Sequence, residues 1–259
     1  LKQNLNNSNS TVSISLSGGI DSSLVLGYIR KLFPNITIKA VSVKFSESTD
    51  ETQDAKKIAE HFGAEHNILE VDNYLEILPS AIGITKMPFW DNHWYFISQF
   101  ASKKSKILAS GDGGDEIFGG YTFRYEKFLS QIHSNSTPIE KVEAYLNCHE
   151  RDWVIDQNEV FGNKLNFSWD KIYSTLLPFF DNSLNSLGQV FLADYNGKLR
   201  YNFSHVNSSL NNHFGLKSIS PLLSNDLISL LSNCDYQKKY NQSQKTGKIF
   251  LRNLLDNFG

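Results

Sequence analysis

Two short stretches gather residue types that can act together on an anion and a cation. The first, Ser17-Gly18-Gly19-Ile20-Asp21-Ser22-Ser23, lies between a β-branched run and a helical pattern. Gly18 and Gly19 allow positive φ and let the backbone approach an anion with no Cβ in the way. Amides of such a turn point at the anion, and the following helix N-terminus adds partial positive charge. Ser17, Ser22 and Ser23 supply hydroxyl donors. Asp21 narrows the chemistry: a carboxylate beside a phosphate chain repels it unless a cation intervenes, and Mg²⁺ bound by one or two carboxylates plus phosphates is the usual arrangement. Neither Gly-x-x-x-x-Gly-Lys-Ser/Thr nor Gly-x-Gly-x-x-Gly follows this strand, which excludes those two nucleotide loops. A generic capped Gly-Gly turn is the alternative.

The second stretch is Ser110-Gly111-Asp112-Gly113-Gly114-Asp115-Glu116-Ile117-Phe118-Gly119-Gly120-Tyr121. Flexible glycines and three crowded carboxylates are unfavourable as a core element, because glycine loses the most entropy on folding and like charges repel. A site for a cation and a phosphate chain accounts for both. A solvated acidic loop fits the apolar Ile117-Phe118 less well.

The elements that must position these loops alternate. Strand patterns cover 12–16, 36–45, 67–71 and 106–110. Helical patterns begin at Ser22, with Leu24, Val25, Tyr28, Ile29 and Leu32 on one face, and again over 95–103. Between them Ser48 and Glu51 have capping-box spacing, opening a helix with Ala55, Ile58, Ala59 and Phe62 that Gly63 ends. Near-continuous apolar strands in this order predict an α/β fold with a doubly wound, mostly parallel sheet, both loops standing at strand carboxyl ends. After Gly120 the pattern becomes mostly helical. Thr137-Pro138 predicts a helix start, Ser224 caps another through Leu227, Leu230 and Leu231, and 182–186 and 207–212 read as loops or helix ends. The predicted organisation is a polar N-terminal tail over 1–11, an α/β core over 12–125, and a mostly helical part over 126–259 packed on the core and contributing Lys248.

Composition excludes several classes. With 40% hydrophobic and 20% charged residues the chain folds rather than remaining disordered. A net charge of -2 gives no electrostatic footprint for nucleic acid or an anionic membrane. Cys148 and Cys234 lie in no CxxC pattern, which excludes a disulfide framework and a four-Cys zinc site and predicts idle thiols in a reducing, cytoplasmic setting. No apolar run approaches the ~20 residues of a membrane span, and residues 1–10 carry no signal pattern. The chain starts with Leu and stops after a helical pattern over 249–257, as a piece of something longer would.

Taken together, the two motifs resemble the synthetase domain of the asparagine synthetase family, an N-type PP-loop ATP pyrophosphatase with an adenine nucleotide alpha-hydrolase-like fold. Val41-Ser42-Val43-Lys44-Phe45 is similar to the family's second strand, and Lys248-Ile249-Phe250-Leu251-Arg252 to its Lys-Tyr-Ile-Leu-Arg segment. The resemblance is specific over 12–125, traceable over 195–255, and nothing matches over 126–194. It implies ATP and Mg²⁺ as cofactors. Adenine would lie near the backbone of Leu16 and Val43, and the phosphates on Ser17, Gly18, Gly19, Asp21, Ser22, Ser23 and Gly111. Asp21 and Asp115 would bind the metal. The implied activity is that of an AMP-forming amide ligase: a carboxylate attacks the α-phosphorus, pyrophosphate leaves, and an amine then displaces AMP. Lys248 would stabilise developing charge. Lys245 is a secondary cation, and Arg252 is read as structural.

Departures bear on the substrates. The family's glutaminase domain, with its first-residue Cys, has no counterpart here. Ammonia, a separate glutaminase, a domain outside this sequence or the substrate itself is therefore expected to supply nitrogen. Asp112 replaces the family's Glu, an acid one methylene shorter that can still orient an amine or accept its proton. The family's Asp…Glu-x-Arg-x-Pro-Phe-Leu-Asp corresponds to Ser208…Lys217-Ser218-Ile219-Ser220-Pro221-Leu222-Leu223-Ser224. This puts aspartate in doubt as the small-molecule carboxylate acceptor. His205, Asn207, Asn211, Asn212 and His213 offer a neutral polar neighbourhood instead, or are simply loop residues. Two further readings are a pyrophosphatase that activates a tRNA base, against which the charge balance argues, and a non-catalytic nucleotide-binding subunit of an amidotransferase. No nucleic-acid or membrane partner is expected.

Overall fold

The computed structural model describes residues 1–5, 11–46, 50–89, 92–149 and 166–258. The elements run β1 (Thr11–Ser15), α1 (Ile20–Leu32), β2 (Thr37–Phe45), α2 (Thr52–His61), β3 (Glu65–Val71), α3 (Leu78–Thr85), α4 (His93–Ser102) and β4 (Ile107–Ala109). They continue with α5 (Gly114–Phe118), α6 (Thr122–Gln131), α7 (Pro138–Asn147), α8 (Trp169–Phe180), α9 (Ser186–Ala193), a π-helical stretch (Asp194–Phe203), α10 (Ser204–His213), β5 (Lys217–Ile219), α11 (Asn225–Ser232) and α12 (Ile249–Leu255). Two compact units result. The first comprises Leu1–Gly114, Asn202–Ser232 and Phe250–Gly259; the second comprises Asp115–Tyr201 and Asn233–Ile249.

The first unit holds a five-stranded sheet in the order β3-β2-β1-β4-β5, each neighbouring pair parallel. Val12, Ser13 and Ile14 of β1 and all of β4 are buried, as strands covered on both faces must be. From β1 the chain steps outward to β2 and β3, then returns to β4 and β5 on the other side of β1. The order therefore reverses between β1 and β4, and the loops at their carboxyl ends flank the crevice in which open α/β sheets take ligands. Arg30 ties the ends of two helices together, donating to the carbonyls of Phe62 at 2.8 Å, Pro34 at 2.6 Å and Gly63 at 2.8 Å. Phe258 returns to pack edge-on against Tyr28 and Phe62.

Two local expectations are corrected. Helix α2 starts at Thr52, and Glu51 at its N-cap position makes no side-chain cap. Asp50 caps instead, accepting from the Thr52 N–H at 3.0 Å and from its hydroxyl at 2.6 Å. These bonds, with the Lys44 ammonium, hold the Asp50 carboxyl down at about 2. Ser48 lies outside the described residues. The Asn-rich run 207–212, read as a loop or a helix end, is the C-terminal part of α10 rather than a loop. Asn favours caps and turns because its side chain competes for backbone groups. Here Asn207 and Asn211 are buried and bonded to other side chains, which removes that competition. The run 182–186 does connect two helices: Asn182 donates to the Phe179 carbonyl at 2.9 Å and Asn185 caps α9 by accepting from the Gly188 N–H at 2.8 Å.

The second unit is helical around an aromatic core of Tyr125, Phe128, Tyr145, Phe180, Phe191 and Tyr240. Helix α7 begins as predicted at Thr137-Pro138, with Thr137 and Glu140 forming a capping box. Cys148 is buried, its thiol donating to the Ala144 carbonyl at 3.1 Å, and Cys234 is half-buried. Asp194 is fully buried inside this core. Its Oδ1 accepts from the Tyr145 hydroxyl at 2.8 Å, while Oδ2 has no hydrogen-bond partner. Burial pushes this carboxyl up to about 7.

An acid whose folded pKa is raised supports the fold while protonated, so stability is lost as pH rises from the ordinary carboxylate range through about 7. Asp194→Asn keeps the oxygen that accepts from Tyr145 and removes the charge. Chemical denaturation should find the variant and the parent alike near pH 4 and the variant more stable at pH 8, by up to ~4 kcal/mol. Parallel pH–stability curves for the two proteins would disprove the assignment.

Candidate active site

Within the first unit the β1–α1 loop folds back on itself. The Ser17 N–H donates to Ser22 Oγ at 3.2 Å, the Gly19 N–H to Ser17 Oγ at 3.2 Å, and the Ser23 hydroxyl to the Gly19 carbonyl at 2.7 Å. Ser22 and Ser23 are buried and serve this internal scaffold, while Ser17 and Gly19 are exposed at its tip. Gly18 has φ +81, and a Cβ there would lie 3.1 Å from the Ala55 nitrogen in the first turn of α2. The N-termini of α1 and α2 thus converge on the loop. Their first-turn amides lack intrahelical partners, which makes the tip a natural anion seat.

The loop after β4 lies directly on this turn. A Cβ on Gly111 would stand 2.6 Å from the Ser22 nitrogen, and one on Gly114 would stand 2.1 Å from Asp21 Cγ. Only glycine permits both approaches. The structure therefore brings Ser17, Gly18, Gly19, Asp21, Ser22, Ser23, Gly111 and Asp112 into one neighbourhood. Leu16 stands beneath, its N–H bonded to the Val41 carbonyl at 2.9 Å and its own carbonyl accepting from Ser42 Oγ at 2.5 Å. Leu16's backbone is thus engaged within the sheet. Val43 is partly buried in β2 and pairs with Leu69.

Asp112 is held by neighbours from distant sequence. Its Oδ2 accepts from Ser110 Oγ at 2.8 Å and from Asn207 Nδ2 at 2.6 Å, and Ser110 Oγ also meets Ser220 Oγ at 3.0 Å. Where the resemblance places Arg, Ile219 is a buried strand residue paired with Ala109. Leu223 fills the space beside Gly113, whose Cβ would fall 2.1 Å from Leu223 Cδ2. Asn212 and His213 are exposed, His205 bonds the Thr85 carbonyl at 2.8 Å, and Asn207 donates to Asp112.

Asp115, which follows Gly114 in the chain, belongs to the second unit. There Lys248 Nζ lies 2.8 Å from Asp115 Oδ1. Glycines make this pair possible. A Cβ on Gly120 would fall 1.9 Å from Asp115 Oδ1, and one on Gly247 2.1 Å from the Gly119 carbonyl oxygen. Lys248 has φ +56, and its N–H donates to the Phe118 carbonyl at 3.1 Å. Lys245 is exposed and pairs with Glu126 Oε2 at 2.8 Å. Glu116 is 4% exposed and accepts from the Tyr121 hydroxyl at 2.5 Å. Burial pushes the Glu116 carboxyl up, opposed by that bond, and also pushes the Tyr121 phenol up, which keeps it a donor. Glu116 and Tyr121 stand in the second motif, but sequence offers no sign of their burial or pairing.

The donor set suits the groups that the resemblance implies. Carboxylate and hydroxyl oxygens are hard ligands, and a magnesium ion needs few of them when phosphates supply the others. Among the described residues no group of three His, Cys, Asp or Glu could hold a metal by itself.

Comparison with known proteins identifies the family. The family model for asparagine synthase matches residues 3–258. The glutamine-hydrolysing asparagine synthetase 1 of Bacillus subtilis is 32% identical over 137 residues, 51% of this chain and 20% of that protein. The glutamine-hydrolysing asparagine synthetase of Gallus gallus is 29% identical over 150 residues, 49% of this chain and 24% of that protein. The chain thus spans about a fifth to a quarter of the length of these relatives. Among solved structures, the NH₃-dependent NAD synthetase of Campylobacter jejuni aligns with TM-score 0.32 and 16% identity over 70% of this chain and 90% of that one.

Alanine is ordinarily favoured over glycine in a helix by about 1 kcal/mol. Gly114→Ala should nevertheless destabilise the protein by roughly 1–3 kcal/mol, because its methyl would overlap the Asp21 carboxylate. Adding Asp21→Ala should relieve most of that cost in urea titrations. Simple additivity of the two substitutions would show that the close approach does not exist.

Proposed function

The chain belongs to the asparagine synthase family, and on that premise we propose that it is an ATP-dependent, AMP-forming amide ligase. The observation that carries the reading is the glycine-lined contact of the two loops at the sheet's reversal point, with Gly111 against the Ser22 nitrogen and Gly114 against the Asp21 carboxylate. That contact builds an anion seat beside a carboxylate, which is what a nucleotide with its counter-cation requires.

In this reading the tip amides of 17–19 and the first turn of α1 bind the β- and γ-phosphates of ATP, and β2 near Val43 flanks the adenine. Asp21 and Asp115 would hold magnesium, which would supply charge neutralisation on the phosphates. An oxygen of the substrate carboxylate attacks the α-phosphorus. The bond to the β-phosphate breaks and pyrophosphate leaves, giving an acyl-adenylate. An amine then attacks the acyl carbon, AMP departs, and the nitrogen gives up a proton to Asp112. Lys248 opposes the negative charge that develops in these steps; its pairing with Asp115 keeps the ammonium placed without a bound anion. Ammonia, supplied free or by a separate glutaminase, is the nitrogen source. The acceptor is a small carboxylate that is neutral or hydroxyl-rich elsewhere, because Lys217, Ile219 and Ser224 stand where the resemblance places Glu, Arg and Asp.

Pyrophosphate release should be screened across carboxylic acids, aspartate included, with ammonia and with glutamine in parallel. A responsive acid should appear, and Asp21→Asn, Asp115→Asn and Lys248→Met should each lower the rate by about 100-fold or more. Rates untouched by all three changes would end the ligase reading. Stimulation by tRNA would point instead to base activation.

A further inference from the structure

We propose that Asn207 is a positioning residue for Asp112: its carboxamide fixes the carboxylate in the orientation from which it takes the proton of the attacking amine. The inference deepens the ligase reading and rests on it for the role of Asp112, but the geometry stands by itself. Helix α10 is laid along the first unit so that Asn207 Nδ2 donates to Asp112 Oδ2 at 2.6 Å. Behind it, Asn211 Nδ2 donates to Asn207 Oδ1, and the Ser98 hydroxyl on α4 donates to Asn211 Oδ1 at 2.8 Å. Ser98 is 0% exposed, Asn211 1% and Asn207 6%.

The sense of this relay is determined. The Asp112 carboxylate only accepts, so Asn207 must present Nδ2 to it, which leaves Asn207 Oδ1 to accept from Asn211 and Asn211 Oδ1 to accept from the Ser98 hydroxyl. Each carboxamide has one end used as acceptor and the other as donor, so neither can flip without leaving buried groups unpaired. Both the Asn207 and Ser110 bonds fall on one oxygen of Asp112, which fixes rotation about Cβ–Cγ as well as the χ1 well.

Stability alone does not call for such a device. The same helix buries Val206 and Leu210, and apolar residues at 207 and 211 opposite an alanine at 98 would match that surroundings without desolvating three polar side chains. The relay instead gives Asp112 one geometry. An aspartate is a methylene shorter than the glutamate the resemblance places here, and a short acid depends more on being held, since a misplacement of about 1 Å costs roughly 100-fold in rate.

The test uses the full chain and reads position before activity. Three-bond Hα–Hβ couplings of Asp112 should report a single χ1 rotamer in the parent protein and averaging in Asn207→Ala and in Asn207→Asp. The latter is nearly isosteric but exchanges the donor for a second carboxyl that repels Asp112, so Asn207→Ala decides where the two differ. Asn207→Ala serves alone if the aspartate variant does not fold. With the best acceptor from the pyrophosphate screen plus ammonia, kcat for amide formation should fall roughly 10- to 100-fold in either variant, with the KM for ATP within about twofold of the parent. Ser98→Ala should give a smaller loss of the same kind. An unchanged single rotamer in both variants at position 207 overturns the inference. Averaged couplings together with full amide formation in Asp112→Asn would instead leave the positioning intact and remove Asp112 from the ligase reading.

Discussion

The arrangement depends on how closely two stretches of backbone approach each other at the carboxyl edge of the sheet. Gly111 and Gly114 sit against the first turn of α1 at distances that no side chain could share. That contact places a carboxylate-bearing turn and an acid-rich loop on either side of the strand-order reversal. The sheet order β3-β2-β1-β4-β5 makes it possible, because β1 and β4 are neighbours although most of the intervening chain forms β2, β3 and four helices. Tight turn chemistry and sheet topology therefore act on the same few residues.

A second theme is that acids are treated differently according to what surrounds them. Asp50, bonded to Thr52 and Lys44 at the surface, is held in its ionised form. Glu116 and Asp194 are buried, and each has a tyrosine hydroxyl as its hydrogen-bond donor; loss of hydration raises both. Asp115 has a lysine close by instead. One sequence motif, Asp-Glu, thus places one acid against a cation and sends its neighbour into the core of the same unit, which is the kind of divergence between adjacent carboxyls that separates chemical roles.

Much of the α/β layout was legible because parallel strands buried on both faces read as apolar runs. The expected strands at 12–16, 36–45, 67–71 and 106–110 fall within a few residues of β1 to β4. The site loops were legible because glycine and aspartate are unusual in such density. What sequence did not reveal depends on tertiary partners. β5 has three residues, too few for a periodic signal, and is a strand because β4 offers it an edge. The Asn-rich stretch became helix because Ser98 and Asp112 satisfy its carboxamides. The capping of α2 moved to Asp50, whose short side chain reaches the Thr52 amide when Glu51 does not. Pairing of Lys248 with Asp115 required Gly120 and Gly247 to admit the backbone, a steric fact invisible until both are in place.

The first unit is assembled from three separate pieces of chain, with the second unit's residues threaded between them. During synthesis, β1 to β4 leave the ribosome long before β5, so the nascent sheet carries β4 as a bare edge while residues 115–201 of the second unit are made. Naked parallel edges invite pairing with other chains, and late-arriving strands lengthen the average loop that must close. Completion waits on Lys217–Ile219 and then on Phe258 reaching Tyr28 and Phe62. The sheet thus reaches its full strand order only after residues 115–201 have been made, and β4 must be kept from other partners in the meantime.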